Sequence, residues 1–202
     1  MGVRSRMRQA NWLAELQAVL AVGAVAALAG VVAATVRAAL GGSVAFTVPT
    51  AAVDGLETLV RGSLRPGAGV EPGGEVDVMA TDPTAGQRLA ALLTHLPSYL
   101  VALTVLVLLW RIVRTCRRED PFSPAVARRL IRLGVVALAG GLLADAVQLV
   151  ATYLGSATVL DGSAAASYRY SWWWLLIGFG FLAVGEIVKR GADLRAELDT
   201  VV

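Results

Sequence analysis

Four apolar stretches, residues 13–40, 96–110, 130–154 and 172–188, alternate with polar segments along this chain. A helix needs about 20 apolar residues to cross a hydrocarbon core of about 30 Å. The pattern therefore predicts four membrane crossings. The second is the least regular. Leu89, Leu92, Leu93 and Leu96 lie on one side of a helix that begins before the apolar run, and Pro97 interrupts it. A proline inside a helix removes a backbone donor and crowds the preceding turn, so a kink or a fresh helix start is expected there. The third stretch follows Asp120-Pro121-Phe122-Ser123-Pro124. Ser123 is a good N-cap and Pro124 suits the first helical position, where no N–H is needed. A helix is predicted from Pro124. The fourth opens on Trp172-Trp173-Trp174 beside Tyr168 and Tyr170, an aromatic belt of the kind found at membrane interfaces.

The segment 41–94 carries a different pattern. Val44, Phe46 and Val48 alternate with smaller or polar residues, and Val76, Val78 and Ala80 do so again. Period-two alternation over a short run is a strand signal. Val53, Leu56, Val60 and Leu64 fit one helical face between them. The fold class expected is an all-α membrane protein, 1–202, of four transmembrane helices. A small α+β extracytoplasmic insert, 41–94, lies between the first two. A cytoplasmic loop, 111–129, and a cytoplasmic helical tail, 189–202, complete the layout.

Charge orients this arrangement. Thirteen of the 18 Arg and Lys residues fall in the N-terminal tail, the middle loop and the C-terminal tail. An excess of basic residues marks cytoplasmic segments, so both ends are expected in the cytoplasm of a bacterial cell, with the plasma membrane as host. The run after Arg4, Arg6 and Arg8 is longer than a signal peptide's apolar core, which favours an uncleaved anchor. The net charge of +3 follows from the arginines that flank the spans and predicts no direct contact with nucleic acid. The chain is 56% hydrophobic and 16% charged, where soluble domains carry about 25% charge.

Chemistry is sparse. There is no Walker loop, no dinucleotide glycine pattern, no HExxH and no CxxC. One histidine, His95, and one cysteine, Cys116, make neither a zinc site nor a Cys–His pair. No enzyme activity, cofactor or metal is expected. Asp145 is the informative polar residue, placed about 20 Å along a helix from Arg132 at about 1.5 Å per residue, with Gln148 one turn further. A charge at that depth should face the bundle or a water-filled cavity. Arg37 is its expected counter-ion. Glu186 and Glu15, at span ends, are expected to pair with Arg129 or Arg132. Small residues at helical spacing, Gly23/Ala27, Ala26/Gly30 and Gly178/Gly185, permit close helix contact.

Two segments carry a finer pattern. One is Asp120-Pro121-Phe122-Ser123-Pro124 leading into Ala127-Arg128-Arg129-Leu130-Ile131-Arg132. The other is Gly185-Glu186-Ile187-Val188-Lys189-Arg190-Gly191-Ala192-Asp193-Leu194. Together they resemble the YoaS-like family of bacterial four-pass membrane proteins, a domain of unknown function. That resemblance implies a neighbouring gene for a short helix-turn-helix regulator, and hence a soluble cytoplasmic partner. The residues expected to meet it are Arg117, Arg118, Asp120, Phe122, Arg190 and Asp193. A second copy of the chain is a further candidate partner beside the lipid bilayer. Two rival readings stay open: a small channel or transporter using Asp145, and an accessory subunit of a membrane complex.

Overall fold

Helices account for most of the chain in a computed structural model, which describes residues 3–40, 42–53, 74–116, 123–160 and 171–199. Four helices run in the order α1 (Val3–Ala39), α2 (Ala85–Cys116), α3 (Pro124–Ala157) and α4 (Trp173–Asp199). Two strands, β1 (Val44–Pro49) and β2 (Glu75–Ala80), lie between α1 and α2. Three helical segments, Ala14–Ala39, Ala85–Cys116 and Pro124–Ala157, are long and apolar enough to cross a membrane. The fourth falls short by that measure. Its apolar part spans only the sixteen residues from Trp173 to Val188 and already contains Glu186.

Helix ends are set by local chemistry. Thr84 and Gln87 cap the start of α2 reciprocally: the Thr84 N–H donates to Gln87 Oε1 at 2.8 Å, and the Gln87 N–H donates to Thr84 Oγ1 at 3.3 Å. This capping box satisfies two donors that have no partner inside the helix. Ser123 receives the Val126 and Ala127 N–H groups on its carbonyl at 3.0 and 3.2 Å, so α3 starts at Pro124 as its sequence predicts. Pro97 does not break α2, which is continuous through it. Apolar surroundings favour the helix because every backbone group not bonded within it goes unsatisfied there. The one bond that proline removes is a smaller loss than a break would be.

Contacts divide the chain into two units. The first comprises Met1–Val31, Ser98–Ala144 and Ser171–Val202. Its core is built from Val105 and Ile112 of α2 with Val126, Leu130, Leu133 and Ala137 of α3. Phe181 and Val188 of α4 pack against that core. Within this unit α3 and α4 meet backbone to backbone, antiparallel. A Cβ on Gly134 would lie 2.8 Å from the Gly178 carbonyl oxygen, and one on Gly178 would lie 2.3 Å from Leu138 Cγ. Gly141 faces Trp174 and Gly185 faces Ile131 at similarly short range. The glycines stand seven apart on both helices, which keeps them on one face over two turns. Gly23 and Gly30 of α1 meet Leu106 and Tyr99 of α2.

The second unit comprises Val32–Pro97 and Asp145–Tyr170. Here β1 and β2 pair antiparallel with Phe46 opposite Val78 and Val48 opposite Val76. Both strands fall where the alternation places them. Thr47 Oγ1 donates to Asp77 Oδ1 across the pair at 2.7 Å. The inward face is anchored by Phe46 and Val48, both buried. The Phe46 ring lies over Gly155 of α3, where an added Cβ would come within 2.4 Å of Cε1. The helix expected over 53–64 lies almost wholly outside the described residues.

Gly178→Leu should lower stability by about 1–3 kcal/mol or more, because an overfilled contact must spread the two backbones. Gly180→Ala, on the same helix but with nothing within 4 Å of its Cβ, should leave the melting temperature unchanged or slightly higher. Thermal unfolding of the two variants in detergent checks the contrast, and equal destabilisation would remove the close-packing account.

Candidate functional site

Two polar clefts collect the chemistry that the described residues offer, one in each unit. The cleft of the second unit has a volume of about 320 Å³. It is lined by Thr47 and Glu75 of the strands, Thr94 and His95 of α2, and Gln148 and Thr152 of α3. Gln148 and His95, two of the polar groups singled out by sequence, are thus brought together. Its polar lining is made of hydroxyls, an amide, an imidazole and one carboxylate. No group of three metal-ligating side chains occurs among the described residues.

Asp145 is buried, at 5% exposure, and so faces protein rather than lipid. It does not line the cleft that Gln148 lines. Arg37 is exposed on the last turn of α1. It forms no ion pair among the described residues. The expected Asp145–Arg37 pair is therefore not formed. A cation at the end of a helix is stabilised by the carbonyl dipoles there.

The first unit holds the larger cleft, of about 620 Å³, between the C-terminal turns of α2 and the first half of α3. Four arginines line it: Arg111 and Arg114 from α2, Arg129 and Arg132 from α3. Trp110 and Thr115 complete its polar edge, and Leu108, Ile112 and Leu133 form its apolar wall. Arg129 Nη1 donates to Thr115 Oγ1, and Thr115 Oγ1 donates to the Arg111 carbonyl at 3.0 Å. The Arg114 guanidinium lies 5.4 Å from the Trp110 ring centre, a cation–π distance. By sequence Arg111 and Arg114 were markers of orientation, and Arg129 and Arg132 were also expected partners of Glu186 or Glu15. The signal that would have found the cleft is the spacing: Arg111/Arg114 and Arg129/Arg132 are each three apart, and residues three apart share a helix face.

Glu186 was expected to meet Arg129 or Arg132. It is engaged instead on its own helix, with Arg190 Nε at 3.2 Å and Lys189 Nζ at 4.0 Å. A carboxylate four residues before a cation on a helix is in the favoured orientation. These exposed pairs contribute about 0.5 kcal/mol or less each. Glu15 forms no ion pair among the described residues. Beyond Glu186 the helix runs on to Asp199, as its sequence predicts, with Arg190, Asp193 and Leu194 exposed. Arg117, Arg118, Asp120 and Phe122 lie outside the described residues.

Three apolar helices of spanning length and a small strand pair between the first two describe a multi-pass membrane protein. Residues 77–202 match the family model described as a protein of unknown function, DUF2975. The chain belongs to that family, and the matched part runs from β2 through α4. No curated protein and no solved structure matches it.

The strand pair supplies one side of the smaller cleft, so its anchor should control that cleft. Phe46→Ala is expected to weaken docking of the strands by about 3–5 kcal/mol, the usual cost of truncating a buried Phe. Limited proteolysis should then cut between α1 and α2 faster than in the unaltered protein, while Ala45→Ser, on the exposed face, should not change the rate.

Proposed function

We propose that this chain is a non-enzymatic binding and signalling module that crosses the bacterial plasma membrane four times, with both ends in the cytoplasm. Its partner there is a small helix-turn-helix regulator. The fourth crossing is α4. Its apolar part rises about 24 Å at about 1.5 Å per residue, a little less than the hydrocarbon thickness. Local thinning of the bilayer and snorkelling of flanking residues accommodate such a shortfall. In support, α4 packs against the spanning helix α3 from Trp174 to Gly185. Trp172 and Trp173, both exposed, stand at its start as interfacial anchors.

The observation that carries the partner reading is the tail of α4. It continues as helix for nine residues past Arg190, and Asp193, Leu194 and Glu197 are exposed there while Ala192 is buried. A helix that extends beyond its apolar stretch and presents Leu194 among charges is suited to a soluble protein surface. Arg190 belongs to the same surface, and the loop residues Arg117, Arg118, Asp120 and Phe122 are proposed as further contacts for the partner. The resemblance to a family whose genes neighbour such regulators supplies the identity of the partner. Asp145 holds the bundle in this reading, consistent with its burial.

The regulator encoded beside this gene should co-purify with the full-length chain from membranes. Asp193→Arg with Leu194→Asp should reduce its capture at least tenfold without lowering the amount of membrane protein. A regulator that binds neither form removes the partner. Orientation is checked separately: green fluorescent protein fused after the last residue should fluoresce, and alkaline phosphatase fused there should be inactive.

A further inference from the structure

The cleft between α2 and α3 gathers four exposed arginines. Among the described residues, Arg111, Arg114, Arg129 and Arg132 take part in no ion pair. Glu186, of the same unit, is held by Lys189 and Arg190. Four like charges around one cleft of about 620 Å³ repel one another, and an anion placed among them relieves that repulsion.

The cleft is also prepared for such an anion. Arg129 is tethered to Thr115, and Arg114 is held over Trp110. Two of the four guanidiniums are thereby positioned before a ligand arrives, which lowers the entropy lost on binding. A guanidinium fork matches two oxygens of a phosphate. The rest of the lining separates a lipid from a free phosphate. Leu108, Ile112 and Leu133 form an apolar wall beside the arginines. Both helices are apolar over lengths that cross a membrane. A ligand that fits both halves carries a phosphate at one end and hydrocarbon at the other.

We propose that this cleft binds the phosphate head group of an anionic phospholipid, with the arginines on the phosphate and the apolar wall against the start of the acyl chains. The site does not depend on which soluble partner the protein has, nor on which way the protein faces the membrane.

Native mass spectrometry of the full-length protein in detergent tests this with phosphatidylglycerol, phosphatidylcholine, glycerol 3-phosphate and inorganic phosphate as probes. Phosphatidylglycerol should be retained at least tenfold more tightly than phosphatidylcholine. Arg129→Gln with Arg132→Gln should remove most of that preference. Arg37→Gln with Arg128→Gln deletes the same charge outside the cleft and should change it less than twofold. Arg129→Lys keeps the charge but loses the fork and should fall between. Melting in phosphatidylcholine should be the same for all variants, which separates lost binding from lost folding. Equal retention of the two lipids, or equal losses in the two double variants, would overturn the site. Binding of glycerol 3-phosphate or inorganic phosphate as tightly as phosphatidylglycerol would overturn the lipid as its ligand.

Discussion

The contact between the backbones of α3 and α4 at Gly134, Gly141, Gly178 and Gly185 sets the first unit. In a bilayer, burying apolar side chains between helices gains little, because lipid tails are as apolar as leucine. Association then depends on how closely the helices approach, and glycine permits the closest approach. The Gly178 carbonyl oxygen sits where a Gly134 side chain would begin. That proximity brings Phe181 and Val188 onto the core of Leu130, Leu133 and Ala137. The contact runs along the apolar part of α4 from Trp174 to Gly185. The direction of the charged tail follows, because α4 is one continuous helix from the glycine contact to Asp199.

The second unit rests on a similar device with a different partner. Gly155 admits the Phe46 ring, and Val48 is fully buried beside it. A two-stranded pair is marginal by itself, and an aromatic ring seated on a helix supplies the burial it lacks.

How much of this was legible in the residues depended on the range of the interaction. The strands were legible because alternation is a local signal and Phe46, Val48, Val76 and Val78 carry it without interruption. The start of α3 was legible because Ser123 and Pro124 act on their nearest neighbours. Gly178 and Gly185 were visible as a pair, but an alanine-rich chain produces such spacings by chance. Only the facing Gly134 and Gly141 give them meaning. Of the two readings at Pro97, a kink or a fresh helix start, the fresh start is not made, because the apolar setting that keeps α2 continuous is not a property of the proline. The ion pairs misled for a related reason. Depth along a helix can be read from spacing, but rotation about its axis relative to a neighbour cannot. Glu186 therefore meets Lys189 and Arg190 on its own helix rather than Arg129 or Arg132 across a gap.

That local pairing decides the electrostatics of the larger cleft. Had Glu186 reached across, Arg129 or Arg132 would have been neutralised within the protein. Because the carboxylate is taken by cations three and four residues onward, it leaves the cleft arginines of α2 and α3 without an ion pair among the described residues. The four arginines are exposed, and the orientation of a membrane protein requires only that basic residues lie near a span's end, not that they converge. Four converging on one cleft, two of them held in place by Thr115 and Trp110, exceed what orientation requires. Like charges gathered around one cleft repel one another, and a bound anion relieves that repulsion.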